Sequence, residues 1–250
     1  MRLMKRILSA AAVLALSASL LVGCSSGTAS SVPVSASSAA ESTVSSVEET
    51  ASSAVDENEA AAAQLLNDLT GSYQELWPVI LADEYKQTWL DDCTALVGEE
   101  NAEAAFEKLS SMVTSDVYGE DAVEAYANGG GAYFCGFTNS LATLTFDGET
   151  STISGTDKDG NVLFSHTYHY IGMEPVHGLY EFESDDADSG EFTYFFLAPD
   201  TSAETYHIEF RYGSDAEALS QYDAGEYAYW VASGISTDCD QTMIDNCIEL

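Results

Sequence analysis

The chain has 250 residues, and its 42 acidic side chains outnumber seven basic ones, for a formal net charge of −35. Such acidity repels phosphate backbones and anionic lipid headgroups. The composition therefore excludes two classes of protein: those that bind nucleic acids and those that attach to a membrane surface through charge. The negative charge favours the attraction of cations, although a high net charge also keeps a protein soluble.

The first 24 residues form a short basic and apolar leader. Arg2, Lys5 and Arg6 precede an apolar run over residues 7–22, which is too short for a membrane span. The run ends in Leu21-Val22-Gly23-Cys24, which resembles the lipobox of bacterial lipoproteins. We therefore expect residues 1–23 to be a signal peptide and Cys24 to carry the lipid that anchors the protein outside the bacterial cell membrane. An ordinary secretory signal with a coincidental cysteine is the alternative.

Residues 24–58 follow as a predicted disordered linker. Beyond Cys24 they are rich in Ser, Ala, Thr, Val and Glu, with no aromatic residue and no Lys or Arg. Such a segment cannot bury enough apolar surface to offset its ordering entropy. Residues 59–250 contain every Trp, Tyr and Phe, and this length predicts one well-packed domain.

The first part of the domain, residues 60–128, is predicted to be helical. Helix-forming residues dominate Ala60–Leu69, and apolar residues recur at helical spacing in Glu99–Met112. A shorter helix is predicted over Asp121–Ala127, before the glycine run at residues 129–131.

After Gly131 the apolar residues alternate, which predicts strands. Asp147-Gly148 and Lys158–Asn161 supply residues suited to hairpin turns. The closely spaced strands favour an antiparallel meander that closes into a barrel or sandwich, a mainly β fold with flanking helices. Seven strands are predicted: Tyr133–Phe137, Ala142–Phe146, Thr150–Gly155, Val162–Tyr170, Gly178–Glu183, Phe192–Leu197 and Tyr206–Tyr212.

Four cysteines follow Cys24, namely Cys93, Cys135, Cys239 and Cys247. An even number in an exported protein permits two disulfides of open connectivity, and free thiols remain the alternative. A bridge between Cys239 and Cys247 requires that no continuous helix separates them. The absence of a CxxC pair argues against a zinc ribbon or a thioredoxin-like site.

Three segments, in order, resemble ZinT-type domains over roughly residues 69–222. They are Gly71–Pro78, Tyr168–Gly172 with Tyr180–Glu183, and Ala198-Pro199 with His207–Phe210 before Gly213-Ser214-Asp215. That family includes zinc-binding ZinT and the C-terminal domain of AdcA-type zinc-uptake lipoproteins. The resemblance implies a lipocalin-like (calycin) antiparallel β-barrel with flanking helices, a zinc site at its mouth, and a metal ABC importer as a partner.

The sequence departs from the family at the metal site. The family uses one histidine shortly before Ala-Pro and two in His-x-His, whereas Phe195-Phe196-Leu197 precedes Ala198-Pro199 here. The His-x-His pair aligns either with His207-Ile208-Glu209 or with Thr205-Tyr206-His207. Residues two apart share a strand face, so Thr205, His207, Glu209 and Arg211 lie together, and the resemblance places them toward the barrel interior.

His207 and Glu209 are the predicted zinc ligands, since imidazole nitrogen and carboxylate oxygen both coordinate zinc. A third ligand is expected from His166, His169 or His177, among which the sequence does not choose. His166 and His169 point to opposite faces of one strand, so at most one of them shares a pocket. An internal Arg211–Glu209 ion pair without metal is the competing arrangement.

No catalytic motif is evident, so we do not expect an enzyme. The acidic loop Asp185–Asp188 lacks the glycine and distal glutamate of an EF-hand and is expected to be a solvated turn. The predicted function is a surface lipoprotein that captures or buffers zinc near an importer. The alternative is a metal-free calycin module that binds another small ligand or a protein partner.

Overall fold

The computed structural model describes residues 57–199 and 205–249. The predicted signal peptide, Cys24 and the linker up to residue 56 lie outside the described residues. Within the described ranges, no helix combines the length and apolarity needed to cross a membrane.

Helices dominate the first part of the domain, but a strand interrupts them. Trp89 lies in the third helix and donates its indole N–H to the carbonyl of Ile80 at 2.7 Å. Gly98, at φ 84°, joins the third helix to the fourth, and these two helices pack against each other. The elements are α1 (residues 57–68), β1 (Gly71–Glu75), α2 (Leu76–Ile80), α3 (Lys86–Val97), α4 (Glu99–Val113) and α5 (Glu120–Ala127).

Eight antiparallel strands form a closed barrel in which each strand pairs with its neighbours in chain order. The last strand returns to the first, with Tyr73 opposite Ser236. This is the predicted meander, and it closes as a barrel. The remaining elements are β2 (Thr143–Asp147), β3 (Thr152–Thr156), β4 (Val162–Met173), β5 (Tyr180–Ser184), β6 (Tyr194–Leu197), β7 (Ile208–Gly213), α6 (Ala216–Leu219), β8 (Ala232–Ser236) and α7 (Gln241–Ile248).

The predicted strands differ from the structure at three places. Tyr133–Phe137 is not a strand, and Phe134 makes only isolated bridges to Thr114 and Trp230. The segment predicted as wholly helical contains β1, and β8 was not predicted. Both β1 and β8 are five residues long and are held by pairing with distant strands, so their short local patterns carry little signal.

Aromatic side chains fill the barrel. Directly paired residues point to the same face, and the pairs Phe182 with Phe195 and Phe195 with Tyr212 are all buried. An eight-stranded barrel is just wide enough for side chains to fill it. Ala62, Leu65 and Leu66 of α1, and Leu69 just after it, join the same core.

Gly148 shows how closely α1 approaches the β2–β3 turn. A Cβ atom on Gly148 would lie 2.4 Å from Cα of Asn67, so only glycine allows this contact. Helix α1 therefore covers the barrel at that turn.

A second core, called the outer core, lies outside the barrel, where α2, α3 and α7 cover one side of β8. Its buried members are Leu76, Trp77, Ile80, Trp89, Ile235, Ile244, Cys247 and Ile248. All four cysteines after Cys24 are free thiols. Helix α7 occupies most of the interval between Cys239 and Cys247, and the two thiols are not bridged.

Candidate metal-binding site

Strand β7 presents the predicted ligands to the outer core, not to the barrel interior. Ile208, Phe210 and Tyr212 are the residues that join the barrel core. His207, Glu209 and the other alternate residues therefore face outward, and the predicted inward orientation was wrong. The alternation of apolar and polar residues explains this orientation. Burying the three apolar side chains in the dry barrel core stabilises the fold more than burying His207 and Glu209 there would.

His207 is buried, at 5% exposed, and its ring is held in one orientation. Its Nδ1 lies 2.8 Å from the carbonyl oxygen of Thr205. A carbonyl only accepts, so Nδ1 carries the proton and donates it there. Nε2 is consequently the atom turned toward any other partner, as in histidines whose second nitrogen is fixed for metal binding.

A carboxylate lies beside Nε2 of His207. Oε1 of Glu209 is 3.8 Å away, and Glu209 is partly exposed. Cys247 lies close enough to affect the protonation of the imidazole, and its own Sγ is 3.7 Å from the carbonyl oxygen of Tyr206. Burial opposes protonation of His207, but the neighbouring Cys247 and the carboxylate of Glu209 outweigh it and raise its pKa from 6.5 to about 10.

Imidazole and carboxylate groups both suit zinc, and the distance between His207 and Glu209 is close to that of two ligands on one zinc ion. Two N or O ligands of a tetrahedral zinc ion lie about 3.3 Å apart, given bonds of about 2.0–2.1 Å. The 3.8 Å between Nε2 of His207 and Oε1 of Glu209 is only slightly wider. Within residues 57–199 and 205–249, however, no three His, Cys, Asp or Glu side chains are already gathered as a metal site.

The other three histidines each pair with a different carboxylate. Nδ1 of His166 lies 2.7 Å from Asp186, and Nδ1 of His169 lies 2.7 Å from Asp185. His166 is opposite buried Ile153 and so faces the barrel interior, whereas His169 faces outward.

His177 is the third of these histidines. It lies 3.4 Å from Glu174, and its ring packs on Tyr222. Among the described residues, none of His166, His169 and His177 joins His207 in a group of three ligands.

Arg211 is fully buried but does not pair with Glu209. Its guanidinium donates to the backbone carbonyls of Leu219, Gln221 and Tyr227, and it lies 4.2 Å from the ring centre of Tyr222. Burial lowers its pKa. Arg211 therefore holds the segment around α6 against the barrel, and the competing arrangement, an ion pair with Glu209, is not formed.

A cavity of about 280 Å³ opens beside the outer core. Its walls are mainly apolar, and they include Trp77, Leu81, Val113, Phe134 and Cys135. Burial raises the pKa of the Cys135 thiol to about 12. The cavity can thus hold a small apolar molecule.

The sequence did not indicate Cys247 as a neighbour of His207. The two residues are 40 positions apart in the chain and lie close together because α7 docks against the outer core. The helical stripe Ile244, Cys247 and Ile248 was the available signal, since it predicts which face of α7 is buried.

No family model and no curated protein matches this sequence. Among solved structures, it is similar to Zn(II)-bound AdcA from Streptococcus pneumoniae, with 15% identity and a TM-score of 0.47. The match covers 74% of this chain and 35% of that one, so this chain spans about a third of AdcA. It is also similar to the Zn(II)-bound ZinT-like domain of the same AdcA, with 16% identity, a TM-score of 0.47, and coverage of 74% of this chain and 90% of that one. The barrel itself is established by its strand pairing.

Proposed function

We propose that this protein is a lipid-anchored extracytoplasmic binding protein whose barrel domain takes up a divalent metal ion, zinc in the first place, at His207 and Glu209. It would capture or buffer metal near an importer. The proposal is one of binding and assigns no catalysis. The importer follows from the sequence resemblance to zinc-uptake lipoproteins, and the anchor follows from the Leu21-Val22-Gly23-Cys24 box.

The orientation of His207 carries the metal proposal. Its Nδ1–H is committed to the Thr205 carbonyl, so Nε2 is directed at the Glu209 carboxylate 3.8 Å away. Histidines that bind metal usually have the second nitrogen fixed in this way, because the hydrogen bond sets the tautomer and orients the ring. A small rotation of the partly exposed Glu209 side chain brings both donors to zinc-binding distance.

The test is zinc affinity, measured by competition with a chromophoric chelator. The mature chain is used with Cys24→Ser, which keeps it unlipidated. We expect one zinc per chain, and we expect His207→Ala to weaken binding by more than the roughly 10–100-fold that loss of an outer partner costs. His169→Ala, on the exposed side of β4, is the matched control and should bind normally. Absence of zinc binding, or equal binding by His207→Ala, would refute the proposal.

The cavity favours a second candidate function, a module for a small apolar ligand. Val113 lies in its wall, so Val113→Trp should fill it and abolish binding of a neutral naphthalene fluorophore. Val97→Trp, at an exposed position on α3, is the control and should bind normally. If the fluorophore does not bind the unsubstituted chain, or binds Val113→Trp equally well, this candidate is wrong.

A further inference from the structure

The cavity beside the outer core combines aromatic walls with negative charge. The rings of Trp77 and Phe134 line it, together with the carboxylates of Glu75 and Asp116. Glu75 is partly buried and Asp116 is exposed. Of the described residues that line the cavity, none is basic. A ligand there therefore meets apolar surface and carboxylates, without a side chain that could neutralise an anion.

One carboxylate and one aromatic ring stand side by side in the wall, at Gly136. A Cβ atom on Gly136 would lie 2.6 Å from Cε2 of Phe134 and 2.7 Å from Oε1 of Glu75, so both groups crowd the same point. The face of an aromatic ring attracts positive charge, and a nearby carboxylate attracts it more strongly. This pair is therefore complementary to a cation that carries an apolar body.

The wall that holds this pair is fixed before any ligand enters. The backbone N–H of Phe134 donates to the carbonyl of Tyr229 at 2.9 Å, and Oε1 of Glu75 accepts from the N–H of Phe137 at 2.6 Å. The ring of Tyr118 stacks on that of Phe134, with 5.3 Å between the ring centres. Because the ring and the carboxylate are already ordered, binding loses little side-chain entropy.

The other polar side chains of the wall are committed, buried or uncharged. The hydroxyl of Thr114 donates to a carbonyl of α4 at 2.8 Å, and that of Ser115 donates to the carbonyl of Val117 at 3.4 Å. The indole nitrogen of Trp77 is fully buried. Burial raises the pKa of the Cys135 thiol to about 12, so the thiol stays neutral at physiological pH. The two carboxylates are therefore the charged groups that can orient a ligand.

We propose that the cavity binds a small organic cation, an ammonium group on an apolar body. The ammonium group lies at Glu75 and Asp116. The apolar body packs against Trp77 and Phe134. This proposal rests on the second candidate function, the use of the cavity as a ligand site. The volume of about 280 Å³ lies just below the range of about 300–1,000 Å³ of most ligand pockets, which requires a small ligand.

Three naphthalene derivatives of similar size test the preference for positive charge. They are naphthylmethylammonium, which is positive, naphthylmethanol, which is neutral, and naphthoate, which is negative. Binding to the mature chain with Cys24→Ser is measured by equilibrium dialysis at neutral pH, with a metal chelator present. We expect one naphthylmethylammonium per chain, bound at least about fivefold more tightly than naphthylmethanol, the factor for one charge pair about 4 Å apart in water. Naphthoate should bind more weakly than naphthylmethanol.

Two variants remove the charge at the cavity, and a third is the matched control. Glu75→Gln keeps an acceptor for the N–H of Phe137, and Asp116→Asn changes an exposed position. Asp159→Asn removes the same charge in the exposed β3–β4 turn, which does not line the cavity. Each cavity variant should weaken naphthylmethylammonium binding about two- to fivefold and leave naphthylmethanol binding unchanged. Asp159→Asn should leave both unchanged. If Glu75→Gln does not fold, Asp116→Asn decides the result.

The outcomes separate this proposal from the candidate function on which it rests. If naphthylmethanol or naphthoate binds as tightly as naphthylmethylammonium, the proposal fails and the cavity remains a site for apolar ligands. Equal losses in Asp116→Asn and Asp159→Asn would show that only the overall charge of the chain attracts the cation, and the proposal would fail in that case too. If none of the three compounds binds, both the proposal and the candidate function fail, and the zinc proposal at His207 is unaffected.

Discussion

Replacing His207 with glutamine should remove much of the pH dependence of folding stability between pH 7 and 9. The folded-state pKa of His207 is raised from 6.5 to about 10 by Cys247 and Glu209, despite burial. A raised pKa stabilises the fold fully below the unfolded pKa, and this stabilisation is lost as pH rises through the folded pKa. The change corresponds to about 5 kcal/mol, at about 1.4 kcal/mol for each pKa unit.

Between pH 7 and 9 the folded state holds about one proton more than the unfolded state at this residue. The free energy of unfolding should therefore fall by about 1.4 kcal/mol per pH unit from this group, or about 3 kcal/mol in all. Urea unfolding at several pH values, with a chelator and a reductant present, measures this slope. The difference between the unsubstituted chain and His207→Gln cancels the contributions of other titrating groups.

His169→Gln is the control, because His169 is half exposed beside Asp185. Its slope should follow that of the unsubstituted chain, since exposed ion pairs contribute little. If His207→Gln retains the full slope between pH 7 and 9, the coupling of His207 to Cys247 and Glu209 is wrong as described.

Three further changes test the fold and the anchor. Phe195→Ala removes a fully buried ring from the barrel core and should cost about 3–5 kcal/mol in urea unfolding, and a loss below about 1 kcal/mol would contradict the core as described. Arg211→Met leaves three backbone carbonyls without their donor and should lower the free energy of unfolding by about 3 kcal/mol. Lys86→Met is the control: it removes an exposed ion pair with Glu103, 3.8 Å long, and should change the free energy of unfolding by about 0.5 kcal/mol or less. Cys24→Ser in the full chain should move the protein from the membrane fraction to the medium or periplasm, and unchanged sedimentation with membranes would argue against a lipid anchor.

The family resemblance and the apolar alternation of β7 favour opposite orientations of this strand. Ile208, Phe210 and Tyr212 alternate with polar residues, and this pattern alone predicts that they face the core. The family resemblance placed His207 and Glu209 inside instead. The structure follows the alternation, because burying three large apolar side chains contributes more free energy than burying His207 and Glu209 would. The motif here also retains only one histidine of the family's pair.

Several features could be predicted from the sequence alone. The apolar alternation located six of the eight strands, each boundary to within three residues, and the turn residues of Asp147-Gly148 and Lys158–Asn161 marked the hairpins that join β2, β3 and β4. These signals are local, since strand periodicity and turn propensity depend on neighbouring residues. The family resemblance drew attention to His207 and Glu209, and their shared face follows from the two-residue repeat of a strand.

Only the tertiary structure decided how those elements close and what surrounds His207. Strand β1 is defined by its pairing with β2 and β8, and Cys247 lies near His207 because α7 docks outside the barrel. Both depend on contacts between residues far apart in the chain, whose free energy comes from burial and backbone pairing that no local window contains. The sequence by itself therefore determined a β-rich domain with a candidate imidazole–carboxylate pair, and the packing of α7 supplied the thiol beside it.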